Sequence, residues 1–154
     1  MIGPDNSRPM GRSQGVDMSE QIMNNMVDME FNAKAEILAR DLWRCFDEAR
    51  FQDTLPLLSD NFEAIWPNTR ERIRGPGNFI ALNDAYPGSW RCTVEQARPI
   101  PNGVVTVTRI SDGSVEVIAV SFFVMDDDRI TRVEEYFSDV IDPPFDRSRW
   151  SERY

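Results

Sequence analysis

Histidine is absent from the 154 residues. Its absence removes Ser-His-Asp and Cys-His catalysis and nearly all zinc enzymes. Any acid–base work falls to Asp, Glu, Tyr or arginine-assisted carboxylates. There is one lysine, Lys34, which argues against Schiff-base chemistry. The two cysteines, Cys45 and Cys92, are too few for a disulfide framework or a zinc cluster. Cys45 falls on a helical apolar face and Cys92 in a strand, so both are expected as small core residues. No apolar run approaches the roughly 18–20 residues that cross a bilayer. The first residues, Met1-Ile-Gly-Pro-Asp5, have neither a basic nor an apolar signal region. The expectation is a cytoplasmic protein with no membrane partner. Bases are also scarce: 17 against 26 acids, a net charge of -9, which argues against a nucleic-acid partner.

What remains is ordinary for one globular domain, with 41% hydrophobic and 28% charged residues. Residues 1–32 are a separate zone that holds six of the seven methionines among Gly, Pro, Ser, Asn and Asp. They are expected to form an N-terminal arm, partly disordered, with Ile22, Met26 and Met29 at helical spacing leading into the next element. Residues 33–139 form the domain, and 140–154 a tail expected to pack on the domain or on a dimer partner.

Within the domain, Leu38, Leu42, Cys45, Phe46 and Ala49 mark an amphipathic helix. Asp53 is placed to cap a short second helix through Leu57 and Leu58. Phe62–Trp66 reads as a strand ended by Pro67, and Arg70–Arg74 as a charged edge strand. Gly75-Pro76 opens a third helix with Phe79, Ile80, Leu82 and Tyr86 on its apolar side. Trp90–Ala97, Val104–Ile110, Val115–Met125 and Arg129–Asp139 then form a meander, with Asn102-Gly103 a hairpin signal that tolerates positive φ. Asp126, Asp127 and Asp128 are read as a solvated hairpin tip rather than a metal site. The order ααββαββββ predicts an α+β fold, a mainly antiparallel sheet with helices on one side.

The last strand carries adjacent carboxylates, Glu134 and Glu135. Strand side chains alternate between faces, so Val133, Glu135 and Phe137 share one and Arg132, Glu134 and Tyr136 the other. One glutamate must therefore point inward, where a carboxylate has to be paired, hydrogen-bonded or protonated.

The element order, with Gly75-Pro-Gly-Asn-Phe-Ile80, Tyr86-Pro-Gly88 and Arg129-Ile-Thr-Arg-Val-Glu-Glu-Tyr-Phe137, resembles the SnoaL-like branch of the nuclear transport factor two-like superfamily. The resemblance covers roughly Ala33 to Asp139. It implies a bent sheet wrapped round the first helix as a cone, an apolar pocket inside, and a homodimer through the convex sheet face. Members include polyketide cyclases, ketosteroid isomerases, limonene epoxide hydrolases and binding domains without chemistry, so the fold alone leaves function open.

Against limonene epoxide hydrolase, Glu135 stands at the water-activating aspartate and Arg109 at the arginine that bridges the carboxylates. Ser111 occupies the position of the epoxide-opening acid, and Glu63 and Ile65 replace the tyrosine and asparagine that hold the water. Against ketosteroid isomerase, Trp66 before Pro67 takes the place of the aspartate base.

The same resemblance implies that Glu63 and Ile65, Arg109 and Ser111, Val117, Ala119, Ser121 and Phe123, and Val133, Glu135 and Phe137 all face inward. The expected catalytic set is Glu135 as base, Arg109 as its orienter and Glu63 as the second acid–base group. Ser111, Phe46, Phe79, Tyr86, Trp66, Val117, Ala119, Ser121 and Phe137 are the expected substrate-binding set. Ile118, Val120, Phe122 and Val124 form an apolar row on the other face, which a homodimer would bury. Three readings stand: a cofactor-independent isomerase, cyclase, lyase or hydrolase acting on a small apolar molecule; a non-catalytic pocket for a small hydrophobic molecule; and a dimeric interaction domain.

Overall fold

The computed structural model describes residues 17–126 and 128–154. The expected Met-rich arm up to residue 16 and the middle of the acidic hairpin tip, Asp127, lie outside the described residues. Helix α1 spans Met18–Asp47, and a 3-10 helix spans Phe51–Leu57. Strands β1 (Leu58–Trp66) and β2 (Glu71–Arg74) precede helix α2 (Pro76–Asp84). Strands β3 (Arg91–Ile100), β4 (Gly103–Ser111), β5 (Glu116–Asp126) and β6 (Arg129–Asp139) complete the regular structure of the described residues. They form one six-stranded sheet in the order β2-β1-β6-β5-β4-β3. Every neighbouring pair is antiparallel except β1 with β6. The fold is α+β, as the pattern of elements predicts.

Helix α1 starts where Asp17 accepts a hydrogen bond from the Ser19 amide, and it runs unbroken through the 32/33 boundary drawn from composition. Its two halves behave differently. From Met18 to Glu30 every residue is exposed, including Met18, Ile22, Met23, Met26 and Met29. From Ala35 onward Ala35, Ala39, Leu42, Trp43 and Phe46 fall on one face and are buried against β3 and β4. The two alanines keep that face shallow, so the helix lies close to the strands. Asp47 fastens its end: the Arg91 guanidinium and the Cys92 amide both donate to it, and they hold its carboxyl below the usual range.

Asp53 does not cap the 3-10 helix. It lies inside that helix and pairs with Arg50, which stands at the cap position. Helix α2 opens as its sequence indicates, with Pro76 in the first turn after Gly75 at φ 83°. It delivers Phe79 onto Phe62 and Phe46, with ring centroids 5.0 and 5.8 Å apart. Phe62, Phe79, Phe123 and Leu42 are almost fully buried, and each such side chain contributes about 1.5–3 kcal/mol.

The sheet curves around this core. Register shifts that leave Glu95 of β3 and Thr131 of β6 without a partner bend those strands locally. The Asn102-Gly103 turn forms as its dipeptide suggests, with Asn102 at φ 61°. A Cβ on Gly103 would sit 1.8 Å from the Phe123 carbonyl oxygen, so β4 and β5 approach too closely for any larger residue. Gly103→Ala is expected to cost about 1–3 kcal/mol of stability, read as a lower urea midpoint by circular dichroism. An unchanged midpoint would mean that the strands part freely at this point.

Candidate functional site

Four strands and one helix set the concave face. Buried on β4 are Val104, Thr106 and Thr108, and on β5 Ala119, Ser121 and Phe123. Strand β6 contributes Val133 and Glu135, and β1 contributes Phe62, Ala64 and the partly exposed Trp66. The register aligns Thr106 with Ser121 and Ser121 with Glu135, which places three polar side chains in a row across three strands. Tryptophans close both ends of the row. The Trp43 indole N–H donates to Thr106 Oγ1 at 3.0 Å, and the Trp66 indole N–H donates to Glu135 Oε2 at 2.8 Å. Ser121 Oγ donates to Glu135 Oε1 at 2.9 Å.

Glu135 is 3% exposed, and among the described residues no lysine or arginine forms an ion pair with it. Both its donors are neutral. A carboxylate offers about four acceptor positions, so one on each oxygen remains open. Burial raises its carboxyl above the ordinary 4.5 of a glutamate, and the hydrogen bonds from Trp66 and Ser121 pull it part of the way back. The Cys92 thiol, across the strands near the same interior, is pushed up to about 12, mainly by burial and then by Asp47 and Glu135. It stays a thiol at neutral pH and is no nucleophile.

The structure turns four of the side chains expected inside to the outer face, two of the three expected catalytic residues among them. Arg109 and Ser111 stand on the outer face of β4. Arg109 pairs there with Glu95 and Glu116, and Ser111 donates to the Val115 carbonyl within the turn at 2.9 Å. Glu63 and Ile65 also face outward on β1. Glu63 takes its hydrogen bond from Arg132 at 2.8 Å, with Arg72 3.8 Å away. Arg109 therefore does not orient Glu135, and among the described residues no second carboxylate joins it.

The cause is a one-residue slip in which side chain faces in on β1 and β4, and a slip of one inverts the whole strand. On β5 and β6 the expected faces hold: Ala119, Ser121, Phe123, Val133 and Glu135 are inside, and Val117 and Phe137 are half-buried. Trp66 is at the site as a donor to Glu135. Phe46 and Phe79 are packed in the core cluster under the helices, while Tyr86 is exposed against Trp90.

Three residues with polar groups that the expected set omitted also stand inside: Trp43, Thr106 and Thr108. The signal for the threonines lay in the run Val104-Val-Thr-Val-Thr108, where threonine and valine alternate. With the hydroxyls inside and Val105 and Val107 outside, β4 inverts the usual polarity of a half-buried strand. Among the described residues no group of three or more metal-ligating side chains gathers. No helix there is long and apolar enough to cross a membrane.

The fold is that of nuclear transport factor two-like proteins. A ketosteroid isomerase candidate from Kribbella flavida superimposes with a TM-score of 0.71 at 24% identity, over 79% of this chain and 90% of that one. An LEH-like epoxide hydrolase from Mycobacterium tuberculosis gives 0.58 at 21% identity, over 69% and 84%. A SnoaL-like polyketide cyclase candidate from Shewanella putrefaciens gives 0.58 at 14% identity, over 67% and 88%. No protein-family model and no curated protein sequence matches the chain. At these identities the likeness defines the architecture and leaves the chemistry to the site.

The raised carboxyl has a consequence for stability. The folded chain keeps the Glu135 proton at pH values where the unfolded chain has lost it, so stability falls as pH rises from 4.5 through the higher native value. Below 4.5 both states are protonated and the contribution is constant. Glu135→Gln stays neutral throughout, so its urea midpoint is expected to gain on the wild type as pH climbs through that window. A difference between the two chains that does not vary with pH would show an ordinary, unshifted carboxyl.

Proposed function

We propose that the chain is a small-molecule pocket protein whose Glu135 performs cofactor-independent acid–base chemistry on a small apolar substrate. The observation that carries this reading is a buried carboxyl with two neutral donors, no cation and one open acceptor position per oxygen. A carboxylate kept only for structure is ordinarily matched by a positive charge, because the uncompensated charge is costly. Here the cost is met by holding the proton more tightly than an ordinary glutamate does, as suits a carboxyl that returns a proton as well as taking one.

Trp66 and Ser121 fix its orientation. Trp66 bonds Glu135 directly, the half-buried Phe137 lies one position beyond it on the inner face, and the half-buried Val117, Ile110 and Cys92 share the row two positions beyond. Proton removal next to a carbonyl, followed by return of the proton at another carbon, suits one carboxyl acting in both directions. Epoxide hydrolysis of the limonene type fits less well, since Arg109 is on the other face and no second carboxylate among the described residues shares the work.

Proton abstraction is testable without knowing the natural substrate. A panel of small cyclic and aryl ketones in D2O, followed by NMR, is expected to exchange α-protons faster with the protein than without it. Glu135→Gln is expected to lower that rate at least about 100-fold while leaving ketone binding in place. Exchange at equal rates in wild type and variant would remove Glu135 from the chemistry. Binding without any exchange would favour a pocket with no reaction.

The convex face supports a homodimer. Val105, Val107, Ile118, Val120 and Val124 stand there partly exposed, with Phe122 39% and Tyr136 41% exposed and their rings 6.2 Å apart. An isologous contact would cover this row, and a charge placed in it would be buried unpaired. Light scattering is expected to give a dimer for the wild type and a monomer for Phe122→Asp. A monomeric wild type would reject the assignment.

A further inference from the structure

Helix α1 carries two apolar faces. One is the stripe Ala35, Ala39, Leu42, Trp43 and Phe46 that packs under the sheet. The other is Met18, Ile22, Met26, Met29, Ala33 and Ile37, all of them exposed. At one turn per 3.6 residues these six fall within an arc of about 100°, centred roughly 130° from the buried stripe. They form a ridge about 28 Å long on the side of the helix turned away from the sheet. Met23 and Val27, also exposed, widen it at one flank.

Such a ridge is costly to leave in water. Its five large side chains are 54% to 76% exposed. Together they make an apolar patch on the order of 500 Å², near the top of the range for a monomer. With every residue from Met18 to Glu30 exposed, that half of the helix also has no packing to hold it.

The spacing says what fits. The steps of 4, 4, 3, 4 and 4 residues read the same from either end, about a centre between Val27 and Asp28. A second copy turned end for end sets Met18 opposite Ile37, Ile22 opposite Ala33 and Met26 opposite Met29. Each apolar residue meets another, as a two-fold contact requires. Charge selects the same orientation. Residues 17–30 hold Asp17, Glu20, Asp28 and Glu30 and no base, while the three bases of α1, Lys34, Arg40 and Arg44, all follow. Those bases are matched within the chain only by exposed pairs with Asp128, Glu36 and Asp41. Parallel copies would lay acid on acid, whereas antiparallel copies lay the acidic half along the half that holds the bases.

We propose that α1 pairs with α1 of a second copy, antiparallel, through Met18, Ile22, Met26, Met29, Ala33 and Ile37. The contact is separate from the convex sheet face, because α1 lies against the concave one. The paired ridges bury on the order of 1,000 Å² in all, below the standard size of specific interfaces, so the pairing needs high concentration. There it joins sheet dimers into a larger assembly.

Phe122→Asp, which disrupts the sheet contact, isolates the helix contact. The full chain carrying it is expected to sediment as a monomer near about 10 µM and increasingly as a dimer toward about 500 µM. Adding Met26→Glu and Met29→Glu is expected to weaken that association at least about tenfold. The melting temperature stays unchanged, since both side chains are exposed. A nitroxide on Ser19→Cys is expected to lie about 27 Å from its mate in the antiparallel pair, against about 10 Å in a parallel one. Burial holds the Cys45 and Cys92 thiols up, so the added thiol takes the label.

A chain that stays monomeric to the highest concentration, an association that the two glutamates leave unchanged, or labels about 10 Å apart would each overturn the pairing. None of these outcomes touches the pocket or the sheet contact, which light scattering at dilution decides by itself.

Discussion

One carboxyl, buried under a curved sheet and answered only by an indole and a hydroxyl, sets the terms for the rest of the interior. Placing Glu135 there requires β6 to lie between β1 and β5, because its two donors come one from each neighbour. Trp66 reaches it across the parallel β1–β6 pair and Ser121 across the antiparallel β5–β6 pair. That parallel pair joins strands at opposite ends of the domain's sequence, so the site exists only once the sheet has closed in this order. A site assembled from such distant segments depends on the whole fold.

The sheet's two faces divide the charged from the neutral. Outside, Arg109 with Glu95 and Glu116, and Arg132 with Glu63 and Glu134, form ion-pair groups that remain wet and contribute little each. Inside, polarity is carried by hydroxyls, indoles and one carboxyl, without a formal positive charge among the described buried residues. In a low-dielectric interior a neutral donor orients a carboxyl without cancelling its basicity, whereas a guanidinium would hold it ionised and quiet. The outward turn of Arg109 is part of what leaves Glu135 without a positive partner among the described residues.

The path from sequence to site failed at two strands for a physical reason. On β5, Ile118-Ala-Val-Ser-Phe-Phe-Val124 sets small residues against large ones, and on β6 the pair Glu134-Glu135 forces one inward. Neither pattern says which face is inside, since both faces of β5 are apolar; the inward set on these two strands comes from the resemblance. On β1 and β4 both faces are acceptable by polarity: Phe62, Ala64 and Trp66 compete with Glu63 and Ile65, and Thr106 and Thr108 compete with Val105 and Val107. The face is decided by pairing instead. Glu63 lies beside Arg132 on β6, and Gly103 lies against the Phe123 carbonyl on β5. Neither fact is written in the strand that it orients. The threonines then find their places through Trp43 on α1, a partner 63 residues away from Thr106 in the chain.

Composition and periodicity by themselves determined the order of helices and strands, the Gly75-Pro76 and Asn102-Gly103 turns, the exclusion of histidine chemistry, and the presence of one glutamate inside. These are local properties, fixed by backbone preference and by the spacing of apolar residues. Tertiary structure alone decided that Glu135 would be held by Trp66 and Ser121 rather than by Arg109, and that Thr108 would be left without a partner. Those outcomes depend on strand register and on the close approach of distant segments. A one-residue change in register reverses every side chain of a strand while leaving its local pattern untouched.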